Sequence, residues 1–148
     1  MIKILPDQVV NGRITVDLST VKFLYVNNLY MLEEIPVCPQ LEELHMWHCP
    51  KIKSLPHGML KLRYLYCNGC TSLQEFPTDL DNLTSLSCKG CISLEYLPVH
   101  LPNLTQLDIS MCNLIKELPV YLTLKSLACN GCNLITQIPS YPELETVD

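Results

Sequence analysis

A chain of 148 residues with 48% hydrophobic side chains is long enough to bury one continuous core and fits a single domain. Its formal net charge of −5, with ten Lys and Arg scattered along the chain, argues against a nucleic-acid partner and against an anionic membrane surface. No apolar run approaches the length of a membrane span, and Met1-Ile2-Lys3-Ile4-Leu5-Pro6 lacks the apolar core of a secretion signal, so a cytoplasmic location is expected.

The first element is local. Gln8-Val9-Val10-Asn11-Gly12-Arg13-Ile14-Thr15-Val16 sets Asn-Gly between two β-prone runs, which predicts a hairpin. We expect residues 1–20 to form a cap carrying this hairpin, because a stack of repeats needs a polar end. Leu5-Pro6 leaves a second reading open, in which the stretch is the tail of a degenerate repeat.

From residue 21 onward one template recurs. Its clearest copies are Leu62-x-x-Leu65-x-Cys67-x-x-Cys70-x-x-Leu73-x-x-Phe76-Pro77-x-x-Leu80 and Leu83-x-x-Leu86-x-Cys88-x-x-Cys91-x-x-Leu94-x-x-Leu97-Pro98-x-x-Leu101. Earlier copies start at Val21 and Leu41, and later ones at Leu104 and Leu124. Their last positions are assigned to Pro39, Met59 and Leu122, and Ile138-Pro139 closes the apolar pattern of the copy from Leu124. A partial copy begins at Leu144, so residues 21–148 hold six repeats and part of a seventh. A period of 20 or 21 residues is the signature of a solenoid.

The residues of one repeat dictate its path. In Leu62-x-x-Leu65-x-Cys67, the alternation at the end predicts a short strand with Leu65 and Cys67 facing inward. Asn68-Gly69, Lys89-Gly90 and Asn130-Gly131 supply conformationally permissive residues for leaving the strand sharply. Proline at 36, 56, 77, 98, 119 and 139 excludes a long helix on the return path. No coil buries its own inner face, so coils must stack strand beside strand, about 4.8 Å apart.

On these residues the chain resembles the leucine-rich-repeat family, whose Leu-x-x-Leu-x-Leu-x-x-(Asn/Cys)-x-Leu signature is matched at Leu62, Leu65, Cys67, Cys70 and Leu73 and in five sister repeats. The Gly-Cys-x-x-Leu-x-x-Leu-Pro variant looks like repeats of plant intracellular immune receptors, bacterial effectors and repeat proteins of large DNA viruses. The resemblance implies a leucine-rich-repeat solenoid with a parallel β-sheet on its concave face and an irregular or 3₁₀ convex side with little helix. It implies protein binding and no catalysis.

Nine cysteines invite two other readings. Cys67, Cys70, Cys88 and Cys91 have the spacing of a four-thiolate zinc site. Yet equivalent positions hold Val26 and Leu29, or Ile109 and Cys112, so the thiols are expected to be buried as small hydrophobes and weak hydrogen-bond formers. An odd count rules out complete internal pairing, and a cytoplasmic chain keeps its thiols reduced. His45, His48 and Cys49 contain ligand atoms, but the repeat frame sends them in different directions. Asn82-Leu83-Thr84 and Asn103-Leu104-Thr105 spell glycosylation sequons, which we read as chance products of the repeat. No nucleotide-binding loop or nucleophile elbow occurs, and no enzyme activity, metal or cofactor is expected.

Function is then expected on the concave face. Residues alternating with the buried positions there are Phe23 and Tyr25, Glu43, His45 and Trp47, then Tyr64 and Tyr66 in the first three repeats. In the last three they are small or polar. We predict that another protein or an extended peptide docks across Phe23, Tyr25, His45, Trp47, Tyr64 and Tyr66. The alternatives are self-association through the C-terminal edge at Leu144, and a repeat fragment of a larger effector or receptor.

Overall fold

In the computed structural model, which describes residues 1–148, every repeat contributes one three-residue strand to a parallel sheet. These strands are β4 (Phe23–Tyr25), β5 (Glu43–His45), β6 (Tyr64–Tyr66), β7 (Ser85–Ser87), β8 (Gln106–Asp108) and β9 (Ser126–Ala128). Two shorter strands, β1 (Ile2–Lys3) and β10 (Thr146–Val147), occupy the edges of the sheet in the order β1-β4-β5-β6-β7-β8-β9-β10. The register puts like on like. Leu24, Leu44, Leu65, Leu86, Leu107 and Leu127 are paired in succession, because coils of 20 and 21 residues both return to the same strand position.

Residues 1–20 do two things. Ile2 pairs with Leu24 and Lys3 with Tyr25, and Ile4 is buried where the later coils bury Val26 and Met46. The chain then makes a 3₁₀ turn at Pro6–Gln8 and a hairpin of β2 (Val9–Val10) with β3 (Arg13–Ile14). Asn11 and Gly12 both have positive φ, 49° and 77°, as a tight two-residue hairpin turn demands. The Gly12 carbonyl accepts the backbone N–H groups of Glu33 and Glu34, and Arg13 pairs with Glu34, which fixes the hairpin to the next coil.

Coil-to-coil bonding continues past the strands into the turns. Met46 N–H donates to the Tyr66 carbonyl, Cys67 to Ser87 and Cys88 to Asp108, each at 2.8 Å. Two residues later His48 donates to Asn68, Gly69 to Lys89 and Gly90 to Ser110. This second position is left-handed in all six coils, with Asn28, His48, Gly69, Gly90, Met111 and Gly131 at φ between 54° and 76°. Three coils place glycine there and three tolerate a side chain.

The cysteines after these turns form a second ladder, on the inside. The thiols of Cys49, Cys70, Cys91, Cys112 and Cys132 donate to the carbonyls of Val26, Met46, Cys67, Cys88 and Ile109, each in the preceding coil, at 2.7–3.1 Å. A thiol here meets a buried backbone acceptor that an aliphatic side chain would leave with one partner fewer. Forty buried residues from all coils make one contiguous core. In the last full coil Cys129 and Ile135 are only partly buried, having a packed coil on one side.

Three positions differ from the sequence expectation. Cys38, not Pro39, fills the last inward place of its coil, fully buried, with its thiol 3.2 Å from the Pro36 carbonyl. Tyr121, not Leu122, does so in the fifth coil, where Leu122 is 68% exposed. The cause is common. This position lies three residues before the next coil's first Leu, as with Cys38 and Leu41, Leu80 and Leu83, or Tyr121 and Leu124, and an N–H to C=O bond closes each step. The shorter coils lose their residue between the proline and this position, so counting forward from proline misplaces it. Ile138 is the third: it is 44% exposed rather than inward.

Candidate binding face

Alternation on three adjacent strands sets out the concave face in rows. Phe23, Glu43 and Tyr64 are register partners, as are Tyr25, His45 and Tyr66. Trp47 stands two residues beyond His45 on the same face, its backbone N–H donating to the Asn27 side-chain oxygen at 2.9 Å. All six predicted residues are thus brought together on β4, β5, β6 and the turn after β5.

The middle row is stacked. The His45 ring lies 4.4 Å from Tyr25 at an interplanar angle of 13° and 4.6 Å from Tyr66 at 30°, and Trp47 meets it edge-on at 5.6 Å. Strand spacing of about 4.8 Å delivers flat rings at stacking distance, and each such contact contributes about 0.5–1.5 kcal/mol beyond burial. A stacked ring has already lost its rotamer freedom, so little is left to lose on binding. Phe23, Tyr64 and Trp47 flank the stack and remain 36–41% exposed.

A carboxylate that the sequence reading left out of the site lies among these rings. Glu43 accepts a hydrogen bond from His45 Nε2 at 2.5 Å, and its side chain is only 24% exposed. The signal was present in the alternation, since Glu43 is two residues before His45. Its pairing was not, because rotamers leave no trace in a hydrophobic period.

Beyond β6 the face changes character. Ser85 and Ser110 are buried by their neighbours, Ser87 donates to the Asn68 side chain at 2.7 Å, and Asp108 accepts the Ser110 N–H. The Ser87–Asn68 and Ser110–Asp108 bonds stay within this half of the face, and none of its side chains is a large anchor. At the flank where the chain approaches the strands, Glu42, Lys61, Arg63, Asn82, Thr84 and Asn103 line an open depression of about 570 Å³. There the Lys22 ammonium, 2.8 Å from Glu42, holds its carboxyl below the usual range. Asn82 and Asn103, the two sequon asparagines, donate to the Leu60 and Asp81 carbonyls of the preceding coil, so their amides serve the stack.

The cysteine cluster offers different chemistry from the one its spacing suggests. Cys70 and Cys91 turn toward carbonyls, and no group of three or more His, Cys, Asp or Glu side chains is placed to hold a metal ion. His48 sits over Gly69 on the outside while Cys49 points inward, so neither joins His45. Burial pushes the Cys38 thiol up to about 11 and the Cys67 thiol well above its ordinary value. Cys70 is also raised, first by its neighbour Cys49 and then by burial. Such thiols stay protonated and are poor nucleophiles.

A family model for the leucine-rich repeat matches residues 103–124, which span the fifth coil. No curated protein and no solved structure matches the chain. The matched coil shares its strand register, its left-handed turn residue and its inward thiol with the coils on either side. The matched coil is similar to a leucine-rich repeat, and its recurrence through the stack gives the chain the fold of a leucine-rich-repeat solenoid.

Proposed function

We propose that this chain is a non-enzymatic binding module that takes an extended protein segment across its concave face. Trp47, Tyr64 and Tyr66 act as anchors, and Phe23, Tyr25 and His45 complete the patch. The observation that carries the reading is the Tyr25-His45-Tyr66 stack with Phe23, Tyr64 and Trp47 left exposed around it. Stiff aromatics clustered on one half of a face, with small polar residues on the other, have the composition of a binding hot spot. Leucine-rich repeats generally mediate protein–protein interaction, which supports a protein partner. The setting we propose is the cytoplasm, where thiols that donate to backbone carbonyls stay reduced.

The test is to pan a random-peptide display library against the full chain and measure the enriched peptides by fluorescence anisotropy. Substituting Trp47, Tyr64 and Tyr66 together by Ala should weaken them at least tenfold, while Gln106→Ala leaves them unchanged. Peptides that bind the triple variant as tightly as the parent, with circular dichroism unaltered, would defeat the reading.

A further inference from the structure

Glu43 is a carboxylate set among aromatic side chains on the concave face. Its register partners are Phe23 on one side and Tyr64 on the other, and the next row holds Tyr25, His45 and Tyr66. Its side-chain hydrogen-bond partner is the His45 imidazole, which takes one carboxylate oxygen and leaves the other without a side-chain donor. The neighbouring cations are directed elsewhere: Lys22 pairs with Glu42, Lys61 with the Gln40 side chain, and Arg63 lines the flanking depression. A carboxylate thus lies between two aromatic register partners at the centre of the patch, with its negative charge uncompensated by Lys or Arg.

Ring faces and a carboxylate attract the same kind of group. The aromatic quadrupole presents its negative side to a cation above the ring, and the carboxylate adds a charge-assisted hydrogen bond. A guanidinium satisfies both, because its plane stacks on Phe23 or Tyr64 while an edge N–H reaches the free oxygen of Glu43. An acidic or purely apolar side chain at this point would meet repulsion or leave a half-buried carboxylate unpaired.

We propose that the concave site recognises a basic side chain of its partner, arginine in preference to lysine, seated on Glu43 between Phe23 and Tyr64. The inference rests on the concave-face reading and names the chemistry of the residue at its centre. It commits the partner to an extended segment with a cationic side chain, matching an acidic receptor of net charge −5.

The probes are N-acetyl-arginine amide and its neutral isostere N-acetyl-citrulline amide, titrated into the full chain. Trp47, the single tryptophan, reports by its emission, and the His45 ring protons report by NMR. The arginine probe should give saturable changes at both residues, with the citrulline probe at least tenfold weaker. Glu43→Gln keeps an oxygen for His45 but loses the charge, and should weaken the arginine probe about tenfold while leaving the citrulline probe unchanged. Phe23→Leu and Tyr64→Leu should each weaken the arginine probe by a smaller factor. Equal binding of the two probes, arginine binding that survives Glu43→Gln, or no saturable change with either would overturn the proposal. Selected peptides that depend on Trp47 and Tyr66 but carry no basic residue would refute this inference and leave the concave-face reading standing. Peptides indifferent to the concave substitutions would refute that reading itself.

Discussion

The left-handed turn position allows the backbone geometry to be tested separately from side-chain packing. Gly90 has φ +72°, and the nearest atoms a Cβ would meet are the Gly69 Cα and N, both at 3.9 Å. Gly90→Ala therefore introduces no clash, and its cost is that of holding an L residue in the left-handed region, about 1–2 kcal/mol. The reduced freedom of the unfolded chain offsets about 0.4–1 kcal/mol, so a net loss of about 1 kcal/mol is expected. At Gly69 the same Cβ would lie 2.5 Å from His48 Nδ1 and 2.8 Å from its Cε1. His48 is exposed, so its ring can swing aside at the cost of a rotamer change, and Gly69→Ala should cost somewhat more than Gly90→Ala, about 1–2 kcal/mol. Met111 runs the comparison in reverse. It pays for φ 65° with a side chain that is 51% exposed, so Met111→Gly should leave stability unchanged or raise it by about 0.5 kcal/mol. Guanidinium unfolding followed by circular dichroism measures all three, with each kcal/mol corresponding to a thermal shift of about 2–4 °C. A neutral Gly69→Ala, or a Met111→Gly that loses more than about 1 kcal/mol, would refute the account of these turns.

Three further expectations concern the interior. Cys91→Ala removes a fully buried thiol and its bond to the Cys67 carbonyl, and should cost about 1–2 kcal/mol in urea unfolding at neutral pH; no loss would deny the thiol ladder a structural role. Tyr121→Phe deletes the 2.7 Å bond to the Pro98 carbonyl, with an expected loss of about 1 kcal/mol, whereas Leu122→Ala at the exposed neighbour should be near neutral. Alkali should also destabilise the fold under reducing conditions. Thiols such as Cys38 and Cys67 are raised in the folded state, so their contribution is complete below the unfolded value near 8.5 and falls as pH climbs toward the folded one. The melting temperature in a phosphine reductant should hold steady from pH 7 to 8 and drop between pH 9 and 11; a flat profile would contradict burial of neutral thiols.

The periodic part of the structure was open to reading from the residues because it depends on what recurs. Stacking forces equivalent positions into one environment, so a Leu or Cys every 20 or 21 residues announces both the coil and its inward face. The hidden parts depend on what happens between recurrences. Cys38 and Tyr121 escape a template of fixed internal spacing, because the chain fixes that position backward from the next coil's first Leu. The aromatic face was legible from strand alternation at Phe23, Tyr25 and Tyr64. Its centre was not, because the bond from His45 to Glu43 and the ring stack depend on rotamers chosen against neighbouring strands. The thiol ladder lay between these cases. Inward cysteines followed from the period, but the carbonyl of the preceding coil that each one finds is a property of the stack.

Trp47 is the only tryptophan, and it stands exposed at the edge of the aromatic stack, so the chain carries its own reporter of the concave face. The most direct test is acrylamide quenching of its emission with and without a saturating library-selected peptide. A peptide seated across β4 to β6 should shield the indole, shift its emission to the blue and lower the quenching constant at least twofold. An unchanged quenching constant at saturation would place the bound peptide elsewhere on the protein and contradict the concave-face account.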